Sequence, residues 1–548
     1  MKTKKYLFPI FLLFLIIGCN EKEILKEVPL DFFSPSNSFQ TPQDIQSAIN
    51  WNIARTKLLL GTPDGNGWEQ LSGTDLFQAG VNPGTAFMDD YVTGLDPTGP
   101  YPLFKWNLCY LNISYSNVII GKAANIRYPS DAAKNAHIAV AKFLRAWNYR
   151  LLVAYYGGVP LVLEESNSVK RDFVRATKEQ VYGQIIQDAE FASKNLPNVK
   201  SVKNGEICSA AADHLLAEIY LTKGRFSDAI AAASKIIDGG DFQLMTLRFG
   251  ASSKDTPGDP YYDLFEMGNQ NRSTGNREVI WALQMEADNS GEAGVGVYFE
   301  RNFGPWYWGL TDPKGVAGFI GPTTQNGGRG VGFFRPTPYL RSQIWLSDWN
   351  NDLRNSSYNM IRDYVYDNPK SEYYGKKVTE FIPNNLDSLR KFYVCPRKIS
   401  TRGKHPAKFI QIPATGLLFS SAMANWNDWY LMRLAETYLI RAEAYLQSGN
   451  KQKAADDINA VRRRANATPV TPSMVDIDYI LDERARELGP EEFRRITLSR
   501  LGLVYDRVRK YAPIASKSIQ PYNALFPIPY SEIEKNVLGK LEQNPGYK

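Results

Sequence analysis

The chain has 548 residues, enough to bury a large core, and a formal net charge of only +7 at pH 7. Without Lys2, Lys4 and Lys5 of the leader predicted below, 61 basic residues face 57 acidic ones, a balance that argues against nucleic acid or a strongly acidic surface as partner. Four cysteines, one of them a predicted lipid acceptor, leave an odd number and argue against a disulfide framework.

The N-terminus is typical of a bacterial lipoprotein. Residues 6–17 form an apolar run that ends at Gly18-Cys19. The run is too short to span a bilayer comfortably, but it suits a signal-peptide core, and a small residue before a cysteine is typical of a lipobox. We therefore predict a signal peptide over 1–18, acylation of Cys19 and a flexible tether over 19–30. An ordinary secretory signal is the alternative.

Helical periodicity follows in chain order. It predicts helices over residues 107–125, 130–156, 178–195, 477–488 and 491–501. Ser130 is a typical N-cap for the second of these helices, and Pro197 ends the third. The last two helices flank a break at Gly489-Pro490.

Two helical segments share one spacing of small residues, tyrosine and glycine. The matching positions are Ala217, Tyr220, Gly224 and Ala229 in the first segment and Ala442, Tyr445, Gly449 and Ala454 in the second. Small residues let two helices approach closely, and the glycine ends the first helix in a turn. This spacing is typical of tetratricopeptide hairpins. Two ordinary helical hairpins are the alternative.

Residues 241–425 and 61–102 have a different composition, dominated by Gly, Pro, Asn and aromatic residues. They contain only short strand-like runs, such as residues 279–285. A long irregular region in a compact protein usually carries function.

No catalytic or cofactor-binding pattern is present. His137, His214 and His405 have no second ligand at metal spacing. Residues 348–352 are similar to a calcium loop, but Leu353 stands where that loop needs glycine. We therefore predict a protein that is not an enzyme, with no catalytic, cofactor-binding or metal-binding residues.

Periodic apolar contexts predict core positions for three tryptophans and two cysteines: Trp106, Trp147, Trp281, Cys109 and Cys208. The run Arg462-Arg463-Arg464 predicts a solvated helix face.

Aromatic residues in the irregular regions are the candidate ligand contacts. Exposed rings on a loop can stack on the C–H faces of sugars, while neighbouring polar groups bind the hydroxyls. The first candidate set is Tyr298, Asn302, Trp306, Tyr307 and Trp308, and the second is Trp68, Asp75 and Tyr91. The alternative for both sets is that the rings fill the protein interior.

Several segments in order resemble the SusD/RagB family across almost the whole mature chain. They are Pro29 to Phe39, a helix over residues 41–56, RLAETYLIRAEAYLQSG (433–449) with INAVRRRA (458–465), Asp482-Glu483-Arg484, Phe493-Arg494, PIPYSEIEKN (527–536) and QNPGY (543–547). The chain departs from the family at Gly489-Pro490, in a structural turn.

This resemblance implies a mainly α, SusD-like fold, in which a tetratricopeptide-like scaffold carries a loop-rich, short-strand ligand-binding subdomain. It implies one domain over residues 31–548, with the scaffold at about 31–60, 103–240 and 426–548 and loop-rich insertions at about 61–102 and 241–425.

The resemblance also implies a function. We expect a lipid-anchored outer-membrane protein, facing the cell exterior, that binds glycans and delivers them to a SusC-like TonB-dependent transporter. An oligopeptide-binding subunit of a RagAB-type system is the alternative, and a scaffold that binds only protein is a third hypothesis.

Overall fold

A computed structural model describes residues 39–62, 67–81, 90–166, 168–254, 257–289, 296–383, 386 and 390–548. The predicted signal peptide, the lipidated Cys19 and the tether lie outside the described residues.

Helices dominate the described part of the chain, and its strands are short. The helices are α1 (Pro42–Arg55), α2 (Tyr91–Gly94), α3 (Pro100–Asn125), α4 (Asp131–Tyr156), α5 (Lys178–Asn195), α6 (Ser209–Thr222), α7 (Phe226–Ile237), α8 (Pro260–Phe265), α9 (Phe299–Phe303), α10 (Pro338–Arg341), α11 (Leu434–Gln447), α12 (Lys451–Arg464), α13 (Ile477–Glu487), α14 (Arg494–Arg500), α15 (Val504–Tyr511) and α16 (Tyr530–Lys535). The strands are β1 (Phe77–Ala79), β2 (Val279–Leu283), β3 (Phe334–Pro336), β4 (Met360–Ile361), β5 (Cys395–Pro396), β6 (Ile410–Ile412), β7 (Leu417–Leu418) and β8 (Trp429–Arg433).

Local sequence signals set the ends of the long helices. Ser130 caps α4 by accepting the Ala133 N–H, as predicted. The helix α3 begins at Pro100, earlier than predicted, because proline is tolerated in the first turn of a helix. The helix α14 begins at Arg494, later than predicted, because Gly489–Glu491 forms a 3₁₀ turn instead.

The long helices form one array. The helix α3 packs on α4, α4 on α5, α5 on α6 and α6 on α7, while α11 packs on both α7 and α12. The two predicted hairpins, α6–α7 and α11–α12, therefore lie side by side although residues 241–425 separate them in sequence. Among the described residues, no helix combines the length and apolar character needed to cross a bilayer.

The predicted hairpin spacing is confirmed by the packing. Ala217, Ala229, Ala442 and Ala454 are fully buried between helices. Gly224 and Gly449 end their helices with φ of 71° and 84°, in the left-handed region that favours glycine.

Strands β2 and β8 pair where the long irregular region joins α11. They pair antiparallel, with Val279 opposite Arg433 and Leu283 opposite Trp429, and β8 leads directly into α11. The other described pairs, β1–β3, β4–β5 and β6–β7, are also two-stranded. The predicted fold class, a helical scaffold with short strands only, is confirmed.

A tryptophan pair links the scaffold to this strand pair. Trp147 of α4 meets Trp281 of β2 edge to face, at a centroid distance of 5.5 Å. Both rings are buried, as are Trp106, Cys109 and Cys208, so the core prediction for all five residues is confirmed.

The prediction of a solvated arginine face on α12 is wrong for two of its three residues. Arg462 is buried and ion-paired with Glu483, at 2.8 Å. Arg464 is buried and ion-paired with Glu278, at 2.6 Å. Of the three residues, Arg463 is exposed. Arg462 and Arg464 are buried because carboxylates from other segments of the chain pair with them in the interior.

Candidate ligand-binding site

The predicted aromatic loop directly follows α9. That helix ends at Phe303 with Gly304 as its C-cap, and a 3₁₀ turn over Tyr307–Gly309 follows after two more residues. A Cβ atom on Gly309 would lie 2.7 Å from the Trp306 indole, so the turn needs glycine there. The rings of Trp306 and Trp308 meet at a centroid distance of 5.4 Å and an angle of 72°. Both rings are partly exposed, and we call the pair the tryptophan corner.

Tyr307, between the two tryptophans, faces the interior. Its ring stacks on Tyr364 at a centroid distance of 4.7 Å, and its hydroxyl donates to the Gly328 carbonyl at 3.0 Å. Burial raises the pKa of this hydroxyl, which keeps it protonated. With 1% of its surface exposed, Tyr307 anchors the loop, and its predicted ligand contact is corrected.

Hydrogen bonds hold the Trp308 indole and the Trp306 main chain in place. The Trp308 Nε1–H donates to the Gly330 carbonyl at 2.9 Å, and the Trp306 main-chain N–H donates to the Arg390 carbonyl at 3.0 Å. Cations lie against both rings. They are Arg390 (Cζ 4.7 Å from the Trp306 centroid), Lys391 (Nζ 5.2 Å from the Trp306 centroid) and Arg329 (Cζ 5.9 Å from the Trp308 centroid).

A buried hydrogen-bonded network supports the loop from below. One oxygen of Glu300, on α9, is 2.9 Å from His405 Nε2, and the other accepts the Thr401 N–H at 2.9 Å. His405 Nδ1 lies 2.8 Å from Thr324 Oγ1. The network ties α9 to the loop over 324–330 and so fixes the position of Trp308. The sequence gives no signal for it, because Glu300 and His405 lie 105 residues apart.

Trp68 and Asn302 meet in the interior. Both donate to the Thr62 carbonyl, Trp68 Nε1 at 3.0 Å and Asn302 Nδ2 at 3.2 Å. The Trp68 ring also packs against Phe299 and Phe303, at centroid distances of 4.9 and 5.0 Å. Neither residue has exposed surface, so the prediction that they contact a ligand is corrected. Instead, they join the irregular region over residues 61–102 to α9.

Asp75 is likewise a buried structural residue. Its carboxylate accepts hydrogen bonds from Arg494 at 2.7 and 2.8 Å and from Arg507 at 3.0 Å. Burial alone would raise the pKa of this carboxyl, but the two guanidinium groups outweigh burial and hold the pKa below its usual value. The carboxylate has no exposed surface, and its predicted ligand contact is corrected.

Tyr91 completes the set of buried residues. It is 1% exposed, and its hydroxyl donates to the Gly73 carbonyl at 2.5 Å. Its predicted ligand contact is corrected in the same way. Of the eight predicted contacts, Tyr298, Trp306 and Trp308 keep exposed surface.

A second set of open rings lies between α10 and β4. Trp349 is 42% exposed and Tyr358 is 41% exposed. The Arg362 guanidinium carbon lies 4.6 Å from the Trp349 centroid, and Asn355 Nδ2 donates to the Trp349 carbonyl at 2.7 Å. The sequence prediction missed this surface. The sequence did contain a signal for it. The tryptophan lies among Asp and Asn residues in an irregular region, and this polar context favours an exposed ring.

The resemblance of residues 348–352 to a calcium loop has a different explanation. Asp348 accepts from Arg462 at 3.2 Å, and Asp352 pairs with Arg354 at 2.7 Å. Across the described residues, no group of three or more His, Cys, Asp or Glu side chains could hold a metal ion.

Two family models match this chain. The model of the SusD family matches residues 277–547, and a model described as "Starch-binding associating with outer membrane" matches residues 82–221.

Curated relatives match over most or all of the chain. The SusD-like protein P25 of Formosa agariphila is 24% identical over the full length of both chains. The starch-binding protein SusD of Bacteroides thetaiotaomicron is 26% identical over 76% of this chain and 74% of its own length.

Solved structures share the fold. A laminarin-binding SusD-like protein superposes with a TM-score of 0.67 at 21% identity, covering 93% of this chain and 100% of that one. Surface glycan-binding protein A from Bacteroides thetaiotaomicron, in complex with laminarihexaose, gives a TM-score of 0.66 at 20% identity, covering 92% of this chain and 99% of that one. The helical array, the two family models and these full-length matches together show that the chain belongs to the SusD family.

Proposed function

We propose that this protein binds glycans at the cell surface, without catalysis, for delivery to a SusC-like TonB-dependent transporter. The tryptophan corner is the observation that carries the proposal, because it presents two partly exposed tryptophans side by side on a braced loop. Rigid aromatic side chains give a large contact area at a low cost in conformational entropy. The relatives described as binding starch and laminarin support glycan as the ligand class.

The position of the protein is part of the proposal. An acylated Cys19 would hold it in the outer membrane, facing the exterior. The family description of association with the outer membrane supports this placement.

The oligopeptide alternative has less support. The relatives reported above whose names state a ligand bind starch, laminarin or glycan, and no feature of the tryptophan corner selects a peptide backbone. A scaffold that binds only protein would not need aromatic rings braced at the surface of the irregular region.

Affinity electrophoresis and calorimetry against a panel of plant, algal and host polysaccharides test the proposal. We expect at least one glycan to bind, and the double substitution Trp306→Ala/Trp308→Ala to weaken its binding at least tenfold, about 1.4 kcal/mol. Trp349→Ala is the control, since it removes an exposed indole on a different loop.

Three results would count against parts of the proposal. Equal binding by wild type and the double variant would remove the corner as the site, and loss of binding in Trp349→Ala alone would move the site to that loop. Binding of mixed peptides without any polysaccharide would select the oligopeptide alternative. Thermal unfolding of each variant checks that the fold is intact.

A further inference from the structure

We propose that the tryptophan corner takes an acidic glycan, one whose sugar units carry carboxylate or sulfate groups. This inference rests on the proposed function, and it names the ligand class of the same site. It follows from the cations that lie against the two indoles.

A neutral sugar stacks on an aromatic ring only where the ring face is open. At the corner, the Arg390 guanidinium carbon lies 4.7 Å from the Trp306 centroid, and the Arg329 guanidinium carbon lies 5.9 Å from the Trp308 centroid. A cation held over an indole is attracted by the negative charge of the ring face. Stacking of a neutral pyranose on those faces would have to displace these cations, whereas an anionic sugar would be bound by them.

The two arginines are positioned before any ligand arrives. The Arg390 Nε–H donates to the Val331 carbonyl, and the Arg390 carbonyl accepts the Trp306 main-chain N–H at 3.0 Å. Arg329 belongs to the loop whose Gly330 carbonyl accepts the Trp308 indole N–H at 2.9 Å. The Arg390 guanidinium group and the Arg329 main chain are therefore held by the same loops as the rings, and both arginine side chains are partly exposed.

Guanidinium groups suit this ligand class. Their planar fork of N–H donors matches the oxygen pairs of carboxylate and sulfate groups, and charge-assisted hydrogen bonds are about twice as strong as neutral ones. Lys391, with Nζ 5.2 Å from the Trp306 centroid, adds a third positive charge at the corner.

The carboxylate of Glu300 does not neutralise these cations from the exposed side. It is buried below the loop, and its oxygens are engaged by His405, Ser400 and Thr401. The corner therefore combines two partly exposed tryptophans with two partly exposed arginines, a pairing that suits an anionic sugar.

Matched polymers test the inference on the mature protein. Dextran is compared with dextran sulfate, and hydroxyethylcellulose with carboxymethylcellulose. Alginate, polygalacturonate and a carrageenan serve as natural acidic glycans. Dextran sulfate carries sulfate groups and carboxymethylcellulose carries carboxylate groups, so comparing the two polymers shows which anionic group the site binds.

We expect an acidic polymer to bind and its neutral counterpart to bind at least tenfold more weakly. We also expect binding to weaken at least tenfold from about 50 mM to about 500 mM NaCl, because salt screens exposed charges. The double substitution Arg329→Gln/Arg390→Gln should weaken binding at least tenfold. The control Arg127→Gln/Arg463→Gln, which changes the net charge equally at two exposed positions elsewhere, should not.

Two results would overturn the inference and leave the proposed function intact. One is strong, salt-independent binding of a neutral glycan that the Arg329→Gln/Arg390→Gln variant retains. The other is acidic binding that both double variants lose equally, which would indicate attraction by net charge alone. Binding of no glycan, acidic or neutral, would instead reject the proposed function itself.

Discussion

Buried charged residues hold the scaffold and the irregular region together. Glu487, on α13, accepts hydrogen bonds from Arg354 at 3.0 Å, from Arg433 at 2.5 Å and from Arg464. All four side chains are buried. Burial alone would raise the pKa of Glu487, but the three guanidinium groups outweigh burial and keep the pKa far below its usual value. The residue is therefore charged in the folded protein at neutral pH.

Removing this charge should be costly. We expect Glu487→Gln to lower the free energy of unfolding by about 3–5 kcal/mol, because it removes the one carboxylate that three buried guanidinium groups share. Urea denaturation measures the change. In the control Glu380→Gln, the lost pair is the exposed one with Lys377, and the expected loss is below about 1 kcal/mol. Equal losses in the two variants would contradict this account.

The same cluster predicts a dependence of stability on pH. Burial opposes ionisation of Glu483, but Arg354, Arg486 and Arg462 outweigh it and lower the pKa from 4.5 to about 2. A carboxyl with a lowered folded-state pKa contributes stability above its unfolded pKa, and that contribution is lost as pH falls through the folded value. We expect the free energy of unfolding to fall as pH drops from 4.5 towards 2.

Chemical denaturation at a series of acid pH values measures this slope. The variant Glu483→Gln has no proton to bind at this position, so its slope should be shallower than that of the wild type. An unchanged slope would show that other carboxyl groups control acid unfolding.

At the scale of elements, glycines at the hairpin turns and within helices should respond oppositely to the same substitution. Gly449 ends α11 with φ of 84°, while Gly183 lies inside α5, and a Cβ atom on either would meet nothing within 4 Å. We expect Gly449→Ala to destabilise by about 1–2 kcal/mol, because a Cβ atom disfavours left-handed backbone. We expect Gly183→Ala to stabilise by about 0.5–1 kcal/mol, because alanine favours the helix interior. Differential scanning calorimetry distinguishes the two signs.

At the scale of the whole molecule, the proposed membrane attachment depends on one cysteine. We expect Cys19→Ala to move the protein from the membrane fraction to the soluble fraction, because each buried methylene of the lipid contributes about 0.8 kcal/mol. Fractionation with palmitate labelling measures this change. Cys208→Ala, which removes a buried thiol, should stay in the membrane. A labelled, membrane-bound Cys19→Ala variant would contradict the predicted anchor.

Transporter binding is a separate prediction at this scale. We expect the wild-type protein, purified from membranes in mild detergent, to carry a TonB-dependent barrel protein with it. Mass spectrometry of the purified sample identifies the partner. A sample that contains this chain alone, at detergent concentrations that keep other outer-membrane complexes intact, would count against delivery to a transporter.

The sequence by itself determined the helices and the two hairpins of the scaffold. Helix periodicity, the Ser130 cap and the repeated Ala–Tyr–Gly–Ala spacing depend on neighbours within about ten residues. These patterns can therefore be read directly from the sequence. The same local signals predicted the burial of Trp147 and Trp281, since an apolar residue on the apolar face of a helix or strand packs into the core.

Only the tertiary structure decided which aromatic and charged residues face solvent. Trp68 and Tyr307 look like Trp306 and Trp308 in sequence, yet the first two are buried by partners far along the chain. Arg462 and Arg464 look solvated until Glu483 and Glu278 meet them. In irregular segments the direction of a side chain is set by long-range contacts rather than by periodicity, and burial there is a property of the whole fold.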